Sequence, residues 1–405
     1  MHDLLAGVRI LDLTAIVLGP YATQTLGDLG AEVIKVGPLD GDLFRSVRPG
    51  HSDTMGAGYL NSNRNKRSIA IDLSRPESDI ILNRLVSGVD VVTHNMRPKS
   101  AEKLGVGYDR LRAIKPDIVY AYACGFGTGG EYEDQPAYDD IIQAVSGLAH
   151  LNADAAGEPR FVPTIIGDKV VGLHLAIAIL AGLVSKARTG RGVCVEAPMF
   201  ESMVSFLMLE QLAGRSFEPN LGGTGYARLS SPYRRPFATR DGYISVLPYT
   251  GTHWSRFLTL IGREDLATDP RVLDPVQRSG AIDMLYAVIE NAVRSRTTAQ
   301  WLVMLRAVDV PCAEVNRLDD LFNDPHLRSV GMFQAVDHDS EGPMMGVRSP
   351  FNVSDRSIQP DRPAPRLAQD TDEILMAAGF ARAEINNFRD LGVLRADPTN
   401  AETAR

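Results

Sequence analysis

Three observations predict an α/β protein with a doubly wound, parallel sheet. Short apolar runs alternate with helix-length segments over about the first 125 residues, the pattern of strands separated by crossover helices. The first two runs, Val8–Thr14 and Ala31–Val36, are joined by a segment long enough for a helix, which predicts a βαβ unit with a right-handed crossover. At 405 residues the chain exceeds one ordinary core and suits two domains.

The elements follow in order. Gly19-Pro20 opens a helix that stops near Gly30, with Pro20 suited to its first turn. Ser68–Leu73, Val89–Thr93 and Ile118–Ala123 read as strands, with helices at Arg75–Val86, Ser100–Leu104 and Asp109–Ile114 between them. Asp139–Leu148 is helical. A long apolar segment, Val170–Val184, follows Gly167-Asp168-Lys169, and the turn Thr189-Gly190-Arg191-Gly192 leads into a strand around Cys194. Phe200–Ala213 is a helix. The polar stretch Gly214–Tyr226 marks a boundary. A smaller α+β unit follows, with strands around the Arg240-Asp241-Gly242 turn, helices at Thr252–Ile261, Gly280–Val293 and Thr298–Val308, Thr298 as an N-cap, and a strand at Cys312–Val315. Val330–Val353 returns to strand-like sequence. Residues 360–366 read as a linker, Asp370–Ala378 as a helix, and Asp397–Arg405 as a fraying end. The domains are therefore set at 1–215, 226–325 and 326–405.

Composition narrows the function. With 44% hydrophobic and 23% charged residues the chain is of ordinary globular type. Its formal charge of −8, from 42 basic and 50 acidic residues, gives no electrostatic support for nucleic-acid binding. Three scattered cysteines, Cys124, Cys194 and Cys312, form no CxxC and fit a reducing cytoplasm. The N-terminus has no signal-peptide pattern. The run Val170–Val184 is shorter than the roughly 20 residues a membrane helix needs, so it reads as a buried core helix.

Motif chemistry is sparse. GxSxG, HExxH, GxxxxGK[ST] and a GxGxxG fingerprint are absent, and the eight histidines show no ligand spacing, so no metal site is expected. Asp168, at the mouth of the apolar helix, has two compatible readings. One is a helix cap. The other is a covalent nucleophile, held ionised by the helix N-terminus beside N–H groups that bind oxyanions. The basic run Asn63–Ser68 reads as a solvated turn or as an anion contact. Strand ends are where such sheets bind ligands, which singles out Ala15–Gly19, Ser74, His94–Lys99 and Cys124–Gly130. Gly222-Gly223-Thr224-Gly225 is a flexible linker or a mobile lid.

Several stretches together resemble one family. They are Leu11-Asp12-Leu13-Thr14, Gly19-Pro20, Leu29–Val36, Asn65–Ile69, Asn95-Met96-Arg97-Pro98, Leu104-Gly105, Gly125-Phe126-Gly127, Gly167-Asp168 and Thr189–Gly192. The resemblance is to the class III coenzyme A transferases of the CaiB/BaiF type, which include formyl-CoA:oxalate and carnitine CoA-transferases and are related to α-methylacyl-CoA racemase. It implies a Rossmann-like large domain formed by both ends of the chain, a small domain between, and an interlocked homodimer. Asp168 matches the catalytic aspartate. Val17, Leu18, Ile71, Ser74, Asn95, Met96, Arg97, Lys103 and Leu104 match coenzyme A contacts. Tyr138 and Asp139 match a substrate-proximal pair, and Gly222, Gly223 and Gly225 resemble a protective loop. Pro38 stands where a phosphate-binding arginine is frequent, so Lys103, Arg97 or Arg45 would supply that charge.

The resemblance implies CoA exchange between an acyl-CoA, such as succinyl-CoA or acetyl-CoA, and a small carboxylic acid, with no tightly bound cofactor. Two alternatives stay open at this point: an acyl-CoA racemase of the same fold, and a non-catalytic CoA-binding protein. The racemase needs a histidine–aspartate pair flanking the α-carbon, and Tyr138 occupies the histidine position.

Overall fold

The computed structural model describes residues 1–154, 156–226, 228–354 and 361–395. The expected fraying end Asp397–Arg405 and the first residue of the expected linker, Pro360, lie outside the described residues. The chain forms two compact units, residues 1–206 with 329–405 and residues 207–328. The first boundary falls inside the helix Met199–Gln211, ahead of the glycine-bearing run that marks it in the sequence.

In the first unit, β1 (Arg9–Leu13), β2 (Glu32–Gly37), β3 (Lys66–Ala70), β4 (Val91–His94), β5 (Val119–Cys124) and β6 (Val193–Pro198) form one sheet. The order is β3-β2-β1-β4-β5-β6 and every pairing is parallel. Parallel sheets are covered on both faces, which is why these strands read as continuous apolar runs. Ile10 lies opposite both Val33 and Val91 and is fully buried.

Two charged residues interrupt that apolar pattern. β3 starts at Lys66, ahead of its apolar run, because the Lys66 ammonium is drawn into the core 3.1 Å from the Asp12 carboxylate. Both side chains are 0% exposed. Lys66 also donates to the carbonyl of Pro20 and to Asn63 Oδ1, each at 2.9 Å. The hydroxyl of Thr23 donates to Asp12 at 2.7 Å, and the Thr14 N–H at 2.9 Å. Burial by itself would raise the Asp12 pKa. The ammonium groups of Lys66 and Lys35 and the Thr14 and Thr23 hydroxyls outweigh it and hold Asp12 below the usual carboxylate range. Lys35 completes the network, 3.0 Å from Asp42 and 2.8 Å from the carbonyl of Thr14.

The remaining basic side chains of the Asn63–Ser68 run are also committed internally. Arg64 pairs with Asp28 and Asp361, and Arg67 with Glu32 and Glu373. The run is therefore neither a solvated turn nor a free anion contact.

Three helices position the site: α1 (Leu18–Asp28), α2 (Asp139–Val145) and α3 (Ile166–Thr189). Helix α3 has 24 residues and passes for a membrane span by length and composition alone. Its packing is that of a helix laid on a sheet. A Cβ on Gly172 would sit 2.7 Å from the carbonyl oxygen of Leu18, and one on Gly182 would sit 2.6 Å from a Val119 methyl. Glycine at both positions lets α3 approach α1 and β5 closely. Gly190, with φ 67°, ends the helix in the left-handed region, and its N–H donates to the Lys186 carbonyl at 2.8 Å.

The expectation of a fully buried α3 is only half met. Val171, Leu175 and Ile179 are completely buried, whereas Leu173, Ile177 and Val184 are 42%, 61% and 58% exposed.

The C-terminal part returns to this unit. Its helices Thr371–Ala377 and Arg382–Asp390 bury Ile374, Leu375, Ile385 and Phe388 in the same core as Leu11 and Ile34. The sequence signals only the first of them. Phe333–His338 and Gly342–Val347 form an antiparallel hairpin within the strand-like stretch.

The second unit is built on an antiparallel sheet, β7 (Phe237–Ala238), β8 (Tyr243–Val246) and β9 (Cys312–Glu314). Its core includes Ile244, Trp254, Phe257, Leu285, Ile289 and Trp301. The cap of the helix Thr298–Ala307 is Thr297, which forms a capping box with Gln300, and not Thr298. Thr298 is occupied elsewhere: its N–H donates to Asp241 in the hairpin turn at 2.8 Å.

Replacing Lys66 with methionine leaves Asp12 buried without its nearest ammonium. The expected loss of stability is about 3–5 kcal/mol, read as a lower midpoint of urea unfolding. A wild-type midpoint would contradict the role given to this pair.

Candidate active site at the switch point of the sheet

Strand order reverses between β1 and β4, where the chain segments beyond both carboxyl ends diverge and leave a crevice. The segment after β1 is held from three directions. The side-chain amide of Asn95, just past β4, accepts from the Ala15 N–H and donates to the Ala15 carbonyl, both at 2.9 Å. Asp42 accepts the Ile16 N–H at 3.1 Å. Lys35 holds the Thr14 carbonyl. Ile16 has φ 68°, a left-handed conformation that a β-branched residue adopts only under constraint. Among the described residues no side chain caps α1 at Val17.

The segment after β4 is fixed by a histidine with no spacing signal in the sequence. His94 Nδ1 accepts the Met96 N–H at 3.1 Å. The proton is thereby assigned to Nε2, which lies 2.6 Å from the Tyr120 hydroxyl; that hydroxyl donates to the Val106 carbonyl at 2.9 Å. The ring stacks on Tyr122. Burial pushes the His94 pKa down to about 4, so the imidazole is neutral.

A cavity of about 350 Å³ opens between these segments. Val17, Leu18, Asn95, Met96 and Arg97 line it, together with Tyr138 and Asp168. The remaining residues expected to contact coenzyme A lie off this lining. Ile71 is 2% exposed and bridges Leu394. Ser74 donates to Asp72 at 2.6 Å. Lys103 closes the helix Pro98–Lys103, and Leu104 packs on the core. Gly222, Gly223 and Gly225 belong to the second unit.

Arg45 is not available for a phosphate. It is 3% exposed and donates to the Tyr59 hydroxyl and, at 3.1 Å, to the Pro365 carbonyl. Of the three candidates for the charge missing at Pro38, Arg97 lines the cavity and Lys103 remains exposed beside it in sequence.

Asp168 does not cap its helix. The N-cap position is Ile165, and Asp168 lies inside the first turn. The capping bond comes instead from Asp139, at the start of α2, whose Oδ1 accepts the Asp168 N–H at 3.1 Å. Its Oδ2 accepts from Gln143 at 2.6 Å, and Gln143 in turn accepts the Val162 N–H at 2.9 Å. Gly167 is what admits Asp139, since a Cβ there would lie 3.0 Å from Asp139 Oδ1.

The Asp168 carboxylate is thus left over. Among the described residues none donates a hydrogen bond to it. Burial, and then the charge of Asp139, push its pKa up to about 7. The helix N-terminus does not keep it in the ordinary carboxylate range. A carboxylate with a raised pKa, unbonded, in a cavity at a switch point has the environment of a reactive group.

Comparison with known proteins supplies the family. The sequence model of CoA-transferase family III matches residues 5–371. Human succinyl-CoA:glutarate CoA-transferase is 31% identical over 375 residues, covering 92% of this chain and 85% of that protein. Succinyl-CoA:mesaconate CoA-transferase of Haloarcula marismortui is 32% identical over 384 residues, covering 92% of this chain and 96% of that protein. The crystal structure of a CaiB/BaiF family protein from Brucella suis superposes with a TM-score of 0.78 at 29% identity, covering 93% of this chain and 100% of that chain. A match of that extent, on a chain of the same fold, makes the protein a member of CoA-transferase family III, and so an enzyme that transfers coenzyme A.

Proposed function

We propose that the enzyme moves coenzyme A from an acyl-CoA to a carboxylic acid through covalent intermediates on Asp168. The observation that carries this reading is the unbonded Asp168 carboxylate in the switch-point cavity.

The steps balance as follows. The Asp168 carboxylate attacks the thioester carbonyl, and the CoA thiolate leaves; the product is an aspartyl–acyl anhydride. The thiolate attacks the aspartyl carbonyl, expels the donor acid as its carboxylate and forms an aspartyl-CoA thioester. The acceptor carboxylate attacks that thioester, giving a second anhydride and free thiolate. The thiolate then attacks the acceptor's acyl carbon, which yields the new acyl-CoA and regenerates Asp168.

The surroundings suit this sequence. Burial penalises the Asp168 anion, whereas the anhydride and thioester carry no charge at that position. The same desolvation that raises the pKa therefore favours the covalent states over the resting one. Asp139 is a positioning residue: both of its oxygens are committed, to the Asp168 N–H and to Gln143. Tyr138, which also lines the cavity, stands where a racemase needs its histidine.

The similarity to succinyl-CoA:glutarate and succinyl-CoA:mesaconate CoA-transferases supports succinyl-CoA as donor and a short dicarboxylic acid as acceptor. A homodimer is part of the proposal. Leu173, Ile177 and Val184 form one exposed apolar face on α3, the kind of surface an interface between chains covers. We place the enzyme in the cytoplasm, without nucleic-acid or membrane partners and without a resident cofactor; its three unpaired cysteines fit a reducing compartment.

Three outcomes are expected. Asp168→Ala, incubated with succinyl-CoA and glutarate, loses exchange by on the order of 10⁴–10⁶-fold, followed by mass spectrometry of the acyl-CoA species; wild-type turnover in that variant would overturn the mechanism. In the wild type, kcat/KM rises with pH through about 7 as Asp168 ionises, and Asp139→Asn moves this limb to lower pH by removing the neighbouring charge. A limb that stays in place in Asp139→Asn would remove Asp139 from the account of Asp168. Light scattering on a sizing column gives twice the chain mass, and Ile177→Glu lowers it to one chain; a monomeric wild type would end the homodimer proposal.

A further inference from the structure

The second unit contains a cavity that the Asp168 chemistry does not use. Its volume is about 260 Å³, and its lining includes Arg228, Arg234, Arg235, Phe237, Ser245 and Tyr286. Drug-sized ligands fill roughly 300–1,000 Å³, so this cavity suits a smaller molecule. The lining has three guanidinium groups and no carboxylate. Arg235 is neutralised by Glu290 at 3.0 Å. Among the described residues no carboxylate pairs with Arg228 or Arg234.

Arg228 is the more telling of the two. Its Nε is sealed from solvent and has no hydrogen-bond partner among the described residues. Its guanidinium lies 5.5 Å from the ring centre of Tyr249 and 6.0 Å from that of Tyr226, contacts that hold the group in place without satisfying its donors. A second cavity, of about 300 Å³, shares Arg228 and Tyr286 and adds Trp254 and Arg278. Natural proteins leave few buried N–H groups without an acceptor. A planar, five-donor fork in an acid-free cavity matches a carboxylate, which accepts two parallel N–H bonds.

We propose that this cavity binds a short dicarboxylate, with one carboxylate on Arg228 and the other on Arg234. The site lies wholly within the second unit, so the proposal stands independently of the covalent chemistry assigned to Asp168.

The test uses the full-length protein and glutarate, by calorimetry and by the fluorescence of Trp254, which lines the shared cavity. Wild type is expected to bind glutarate saturably. Arg228→Gln and Arg234→Gln each weaken binding by about tenfold or more, and Arg228→Lys, which keeps the charge but loses the fork, falls between. Butyrate, with one carboxylate, binds more weakly than glutarate by a similar factor. Asp168→Ala binds glutarate as wild type does while losing exchange, which separates the two readings. Unchanged affinity in the glutamine variants would overturn the proposal. So would loss of binding in Asp168→Ala, or equal affinity for butyrate or inorganic phosphate. Far-UV circular dichroism and the thermal midpoint check folding, and Arg234→Gln, on an exposed side chain, keeps the test decisive if Arg228→Gln does not fold.

Discussion

The Asp12–Lys66 pair, fully buried in the sheet of the first unit, is the contact on which the active-site geometry rests. A charged pair in a core is costly unless each group is saturated with hydrogen bonds. Here both are: Asp12 by Thr14 and Thr23, Lys66 by Pro20 and Asn63. Through those bonds the pair joins β1, the first turn of α1 and the approach to β3. Lys35 and Asp42 extend it to Thr14 and Ile16. The turn between β1 and α1 is thereby held in a left-handed conformation at Ile16, and that turn forms one wall of the cavity. An apolar pair of the same volume would fill the space, but it would take the Lys66 donor from the Pro20 carbonyl and the Asp12 acceptor from the Thr14 N–H.

A division of labour between two aspartates leaves one bonded and the other without a donor. Asp139 takes the hydrogen-bonding duties at the start of α3, and Gly167 gives it room. Asp168 is left in a partly desolvated cavity, close to a like charge, with no donor to stabilise its anion. A surface or capping carboxylate is stabilised as an anion and gains little by acylation. On the proposed mechanism, this one is relieved of an unfavourable charge when it becomes an anhydride or thioester.

Much of this was legible in the residues, and the parts that were not share a cause. The parallel sheet and the long apolar helix could be read because their patterns are local: continuous apolar strands, crossover-length spacers, and Gly190 at the helix end. Asp168 was singled out by its place before that helix together with the family resemblance, and it lies in the lining of the switch-point cavity. The Asp12–Lys66 pair was hidden, since Asp12 is a lone charge in an apolar run and Lys66 one of several in a basic run, and only their pairing across the sheet explains them. The capping role was misassigned because Asp139 reaches Asp168 from 29 positions away in sequence. Arg45 read as a free cation for the same reason: its partner carbonyl, Pro365, lies near the other end of the chain. His94 carried no motif because its function is to hold the Met96 amide, a role any sequence neighbour could mimic on paper.

The central claim is that Asp168 is the covalent carrier of coenzyme A, and trapping the intermediate tests it most directly. The enzyme is incubated with succinyl-CoA, quenched with hydroxylamine and digested, and the peptide spanning Gly167–Lys169 is sequenced by mass spectrometry. The account predicts a hydroxamate on Asp168 that requires succinyl-CoA. A hydroxamate on another carboxylate, or none at all while exchange proceeds, would contradict it.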